Sequence, residues 1–227
     1  MPAIPLGIKK IYRRLVPVSI RKLPVIDWVK EKLFAHDTIY DQEYYDSVVE
    51  GPAVRSAGSI SESVVREFKP NSVIDVGCGT GALLQAFRNK GCEIFGLEYS
   101  KAALAYCHAR QLDVQKFDLE NEGLGLNRKF DVAISMEVAE HLPAMVADRY
   151  VDLLTGLSKV IIFTAAPPGQ GGADHVNEQP PSYWIMKFQQ RGFNHADDLS
   201  RLWREQWRAA GNVESWYYQN LMIFKQE

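Results

Sequence analysis

The chain has 227 residues, 46% of them apolar and 24% charged, with a net charge of -2, which suffices for one α/β domain with a substantial core. No apolar run approaches the roughly 20 residues needed to span a bilayer, and basic and proline residues break up the stretch where a signal-peptide core would lie. Three cysteines (Cys78, Cys92, Cys107) make an odd count without metal-ligand spacing, which points to a reduced, cytoplasmic protein and away from a secreted disulfide scaffold.

The charge is uneven. Residues 1–35 carry eight Lys/Arg against Asp27 and Glu31, a net of +6, leaving -8 for the remainder. With Ile8, Ile11, Tyr12, Leu15, Val16 and Val18 among those bases, the segment has the composition of one that lies on an anionic membrane surface. A solvated arm or a packed helix fits equally well. An acidic body argues against a nucleic-acid partner.

Four prolines divide the first 25 residues, and the spacing in IDWVKEKLF predicts a helix over 26–34. Tyr40, Tyr44 and Tyr45 then alternate with acids, as packing aromatics or as a lid over a flat ligand. Ser59 and Glu62 have capping-box spacing and predict a helix start there, with an end at Pro70. Residues 72–81, SVIDVGCGTG, follow: a β-branched run, three glycines at alternate positions, and then the helical spacing of Leu83, Leu84 and Phe87. CEIFGLE predicts a second strand ending at Glu98, with Ser100 as N-cap of the next helix. VQKFDL predicts a third strand ending at Asp118, and KFDVAISM, 129–136, a fourth. EVAEHLPAMVADRYVDLLTGL reads as one helix, and VIIFTA, 160–165, as the fifth strand. Near-continuous apolar strands between helices imply a mostly parallel sheet covered on both faces. Residues 167–181 form a Gly/Pro-rich loop at the carboxyl end of that strand, where open α/β sheets place substrates. Helices follow from Ser182 and over LSRLWREQWRAAG, and VESWYYQNLMIFK predicts a closing antiparallel pair with its turn near Gln219 and Asn220. The organisation expected is a basic segment, 1–39, and a Rossmann-like α/β domain, 40–227, with substrate-side loop and helices at about 167–210.

A strand, a glycine turn and a helix N-terminus build a corner that cradles nucleotide-like ligands. GCGTGA fits the dinucleotide pattern G-x-G-x-x-A, so an NAD-dependent oxidoreductase has to be weighed, but that match alone is weak. Asp75 discriminates. It lies inside the first strand, where a buried carboxylate needs a partner that a cationic ligand would supply. Glu98 suits a ribose diol, and Asp118 an exocyclic amine.

From about Tyr40 to the C-terminus the sequence resembles the class I S-adenosylmethionine-dependent methyltransferases, on VIDVGCGTG, GLEYS, FDLEN and FDVAISMEVAEHL in that order. The resemblance implies Asp75, Gly77, Gly79 and Gly81 around the methionine part of S-adenosylmethionine. It also implies Glu98 on the ribose, Asp118 and Leu119 at the adenine, Met136 beside the amino group, and Arg55 toward the cofactor carboxylate.

Methyl transfer to a hydroxyl needs an aligned acceptor and a route for its proton. Glu137, Glu140 and His141 fall at i, i+3 and i+4, on one face of the predicted helix. His175 and Asn177 lie in the loop that returns to the same end of the sheet. The Glu-x-x-Glu-His pattern is similar to that of ubiquinone-pathway and small-RNA 2′-O-methyltransferases. That likeness implies Glu137, Glu140, His141 and His175 as ligands of Mg²⁺, Mn²⁺, Fe²⁺ or Zn²⁺. Without metal, His141 or His175 is the candidate general base, or these groups only hydrogen-bond the loop. Residues 174–193 and the ending WYYQNLMIF resemble methyltransferases of bacterial cell-surface glycan genes, implying O-methylation of a sugar, glycan precursor or other small molecule, with peripheral contact at the inner membrane face. An amine or RNA 2′-hydroxyl acceptor, and a binding module without catalysis, are the alternatives.

Overall fold

The computed structural model describes residues 40–121 and 128–226. The predicted helix over 26–34 and the basic segment lie outside them. Among the described residues no helix is long and apolar enough to cross a membrane.

Seven strands form one sheet: β1 (Ser72–Val76), β2 (Glu93–Glu98), β3 (Val114–Lys116), β4 (Val132–Met136), β5 (Val160–Thr164), β6 (Phe193–His195) and β7 (Met222–Gln226). Their spatial order is β3-β2-β1-β4-β5-β7-β6. The first five strands pair in parallel, and β7 runs antiparallel to both β5 and β6. Chain order reverses between β1 and β4, and a crevice opens at their carboxyl ends, as open α/β sheets require at such a switch point.

The central strands are apolar because both faces are covered. On β1, Ile74 and Val76 point into one core cluster and Val73 into the other. The Val73 face is covered by α1 (Glu50–Phe68), α2 (Ala82–Asn89) and α6 (Asp197–Ala210) through Ile60, Val64, Leu84, Phe87, Trp203 and Trp207. The indole of Trp207 donates to Ser63 Oγ at 2.9 Å, satisfying a buried N–H and fixing α6 to α1. The Ile74 face is covered by α4 (Ala147–Leu157) and α5 (Pro181–Gln189) through Tyr150, Leu154, Trp184 and Phe188. The last described helices are α3 (Lys101–Ala109) and α7 (Ser215–Asn220).

Four sequence expectations need correction. Ser59 is no helix cap: a short turn, Gln42–Tyr44, passes through a π-helical turn, Tyr45–Val49, into α1. Ser59 lies inside α1, and its Oγ instead donates to Asn212. The stretch after β4 is not one helix. Glu137 has φ 55, Ala139–His141 make a 3₁₀ turn, and α4 starts only at Ala147, beyond Pro143. The tail is not a hairpin, because SWYYQN is helical and β7 pairs instead with β5 and with the short β6, absent from the sequence reading. Strands β3 and β4 are also shorter than expected, so Asp118 lies past the end of β3.

Candidate active site

The carboxyl ends of β1, β2 and β4 open into a cavity of about 1060 Å³, at the upper end of the ~300–1,000 Å³ usual for ligand sites. The glycine turn forms its floor. Gly77, Gly79 and Gly81 all have positive φ (77, 53 and 76°), which glycine adopts without strain. The Gly77 and Cys78 amides donate to the Leu97 carbonyl, seating the turn on β2. A side chain at 77 would meet Val138 at 2.5 Å, whereas one at 79 would meet only Val49, at 4.0 Å.

Asp75 and Glu98 are buried and line this cavity. Among the described residues no group hydrogen-bonds the Asp75 carboxyl; burial, and secondarily the nearby Glu98, push its pKa from 3.8 up to about 7. Glu98 is fully engaged: Oε2 accepts from the Gly79 amide at 2.8 Å, and Oε1 from the Tyr99 and Ser100 amides at 2.8 and 2.7 Å. Burial raises its pKa and these three amides oppose the rise. Glu98 thus clamps the glycine turn to the N-terminus of α3, where a carboxylate is favoured and where Ser100 is the N-cap as expected. Asp118, Leu119 and Met136 line the cavity farther along, with Asp118 accepting from the Glu120 and Asn121 amides in a local turn.

A second group lines the same cavity from the turn after β4 and the loop after β5. The carbonyl of Glu140 accepts from the Val176 and Asn177 amides at 2.9 and 3.0 Å, which draws the loop after β5 over the 3₁₀ turn. Ligand atoms of Glu140, His141 and His175 come within 4.8 Å of one another. Glu140 is wholly buried and neither of its carboxyl oxygens has a hydrogen bond of good geometry. Burial, then Glu137, push its pKa well up, and nearby amides of Glu140 itself and Ala166 offset part of this. His141 Nδ1 lies 2.9 Å from the Tyr40 hydroxyl and 3.4 Å from the Asp174 carbonyl. His175 Nδ1 lies 2.9 Å from Glu178 Oε1. Glu137 lines the cavity with both oxygens occupied, accepting from Gln170 at 2.8 Å and from Asn220 at 3.1 Å.

The fold therefore gathers Asp75, Gly77, Gly79, Glu98, Asp118, Leu119, Met136, Glu137, Glu140, His141 and His175 around one cavity. Arg55 is not among them. It is 59% exposed and pairs with Glu214 at 2.5 Å, a partner 159 positions away that no local pattern reveals. Gly81 also stays outside the lining, and a side chain there would strike Leu112 and Cys107 beside α3. Asn177 is buried next to the cluster, with its amide on Glu140. The sequence reading passed over Glu178, Gln170, Asn220 and Trp216. Glu178 stands three residues after His175, a spacing that offered a signal, whereas Gln170 and Asn220 meet Glu137 only through tertiary structure. The lining contains six carboxylates and, among the described residues, no Lys or Arg.

Residues 57–154 match the family described as "Methyltransferase domain". The chain is 28% identical over 134 residues to a ubiquinone biosynthesis O-methyltransferase of Pseudomonas fluorescens, covering 53% of this chain and 54% of that protein. An Acinetobacter baumannii protein of the same name is 29% identical over 121 residues, covering 49% and 46%. The chain thus spans about half the length of the curated relatives it matches. Among solved structures, the magnesium protoporphyrin IX methyltransferase of Synechocystis with bound S-adenosylmethionine superposes with TM-score 0.59 at 17% identity over all of both chains. An amino pentose methyltransferase from Micromonospora echinaspora superposes with TM-score 0.58 at 17% identity, over 81% of this chain and 96% of that one. At such identities the likeness is one of fold.

Proposed function

We propose that this chain, a member of the class I S-adenosylmethionine-dependent methyltransferases, transfers a methyl group to a hydroxyl of a sugar, glycan precursor or other small molecule. One observation carries the reading: the buried, unpartnered carboxyl of Asp75 opens into the same cavity as Glu140, His141 and His175. S-adenosylmethionine supplies an electrophilic methyl on a sulfonium and a cationic amino group. Its fit rests on Asp75, which lacks the counter-charge such a cation provides, and on Gly79, whose missing side chain leaves the floor open. On this reading Glu98, bound to three amides, would hold the ribose, and Asp118 and Leu119, farther along the same cavity, the adenine.

The residues' part is to bind, orient and move one proton. Bound S-adenosylmethionine would supply the methyl group, and an imidazole of His175 or His141 would take the proton that the acceptor hydroxyl loses. The curated relatives, named for O-methyl transfer, favour oxygen as the acceptor. The acidic lining favours an acceptor whose reacting end is neutral or cationic over one that brings phosphates into the cavity, as an RNA 2′-hydroxyl would. Half-buried Trp216 and Tyr217 line the cavity and suit the C–H face of a sugar or a flat ring.

The bare, buried oxygens of Glu140 favour a second form of this reading. One carboxylate and two imidazoles suit Zn²⁺, Fe²⁺ or Mn²⁺, which when bound would lower the pKa of an acceptor hydroxyl. Glu140, His141 and His175 would hold it. Glu137, whose oxygens accept from Gln170 and Asn220, is outside that clustered set. A panel of neutral sugars, phenols, amines and phosphorylated sugars tests the acceptor; methylation of neutral hydroxyl compounds is expected, and turnover of amines alone would overturn it. Metal analysis with chelation separates the two forms: full activity of metal-free enzyme rules out the metal.

A further inference from the structure

Among the described residues, His175 has a carboxylate behind its imidazole. Its side chain is 10% exposed, and that of Glu178 is 20% exposed. Glu178 is itself anchored: Oε1 accepts from the Gly171 amide at 2.7 Å as well as facing His175 Nδ1 at 2.9 Å, and Oε2 accepts from the Gly169 amide at 2.8 Å. An ionised carboxylate only accepts hydrogen bonds, so the proton between the two groups belongs to Nδ1 of His175.

A glycine packs closely on the Nε2 end of the ring. A Cβ at position 172 would stand 2.2 Å from Nε2 and 2.5 Å from Cε1 of His175, and Gly172 itself lines the cavity. No larger residue fits there with the ring in place. The loop 169–178 therefore ties Nδ1 of His175 to a carboxylate that two amides anchor, and lets the Nε2 end of the ring lie close against Gly172.

We infer that Glu178 is a positioning residue: it fixes His175 as the Nδ1–H tautomer, so that Nε2 presents its lone pair to the cavity as proton acceptor or metal ligand. The inference rests on the proposed role of His175 in methyl transfer. In solution the Nε2–H tautomer competes, and in it Nε2 carries a proton and can neither accept one nor ligate. A carboxylate behind an imidazole removes that ambiguity, in proton-transfer sites and metal sites alike.

The test is ¹⁵N-histidine NMR on the full chain with Glu178→Leu, Glu178→Gln and Gly172→Ala, alongside turnover and calorimetric S-adenosylmethionine affinity. Wild-type His175 is expected as the Nδ1–H tautomer at pH 8. Glu178→Leu should convert it largely to Nε2–H and lower kcat roughly 10–100-fold, with cofactor affinity unchanged within about twofold. Glu178→Gln keeps an oxygen for both His175 and Gly171, so it should retain the tautomer and most of the activity, which mere loosening of the loop by Glu178→Leu does not predict. Gly172→Ala should lower kcat with Glu178 intact. An Nε2–H tautomer in the wild type, or the same tautomer and turnover in Glu178→Leu, overturns the inference. Absence of turnover in the wild type sinks the proposed activity instead, and the tautomer still decides the role of Glu178.

Discussion

At the scale of single residues, Asp75 is held at a cost that a ligand repays. Buried without a hydrogen bond, it keeps its proton up to about pH 7 in the folded chain, against an ordinary 3.8. Between those values the folded state binds more protons than the unfolded one, so this group's contribution to stability falls as pH rises and levels off above about pH 7. Asp75→Asn removes the titration, and its Tm relative to wild type should climb from pH 5 to pH 8 in thermal melts; a constant difference would contradict the burial argument. A cationic ligand reverses the preference, so affinity should rise over the same window. Asp75 and Glu98 were legible in the sequence, because an acid inside or at the end of an apolar strand is conspicuous. Arg55 was misread because its proximity to the first motif in sequence says nothing of Glu214. Glu178 was in plain view beside His175, but only the loop geometry turns it toward the ring.

At the scale of elements, the glycine turn separates folding from binding. Gly77 combines φ 77° with a projected side chain 2.5 Å from Val138, while Gly79, at φ 53°, faces open space. Gly77→Ala should therefore destabilise the fold by about 1–3 kcal/mol, and adding Val138→Ala should recover only the steric share. Gly79→Ala should cost less stability and more cofactor affinity, since its methyl enters the cavity. Denaturant unfolding with ligand titration measures both, and equal stability losses with unaltered affinity would contradict the assignment. The five parallel strands were legible because apolar, β-branched runs carry few alternatives. The helical tail was not: Trp216, Tyr217 and Tyr218 have the composition of a strand, and docking against the α6 side of the core decides otherwise. The turn holding Glu140 and His141 was read as a helix from its i, i+3, i+4 spacing. Pro143 and the left-handed Glu137 confine it to a single 3₁₀ turn, yet the backbone bonds from Val176 and Asn177 still bring His175 to the same place.

At the scale of the whole molecule, the switch point between β1 and β4 brings two chemistries into one cavity. The β1 and β2 ends offer a carboxyl without a partner and a glycine floor. The β4 end and the loop after β5 offer two imidazoles and a buried glutamate. Six carboxylates without a Lys or Arg among the described lining residues make the cavity a place for cations and neutral hydroxyls, in contrast to the basic residues 1–35. The central claim is that this cavity binds S-adenosylmethionine through the counter-charge of Asp75. Isothermal titration of the full chain at pH 8 tests it most directly. The account predicts one cofactor per chain, with affinity lowered at least about tenfold (about 1.4 kcal/mol) by Asp75→Asn. No binding by the wild type, or binding as tight by the variant, would contradict it.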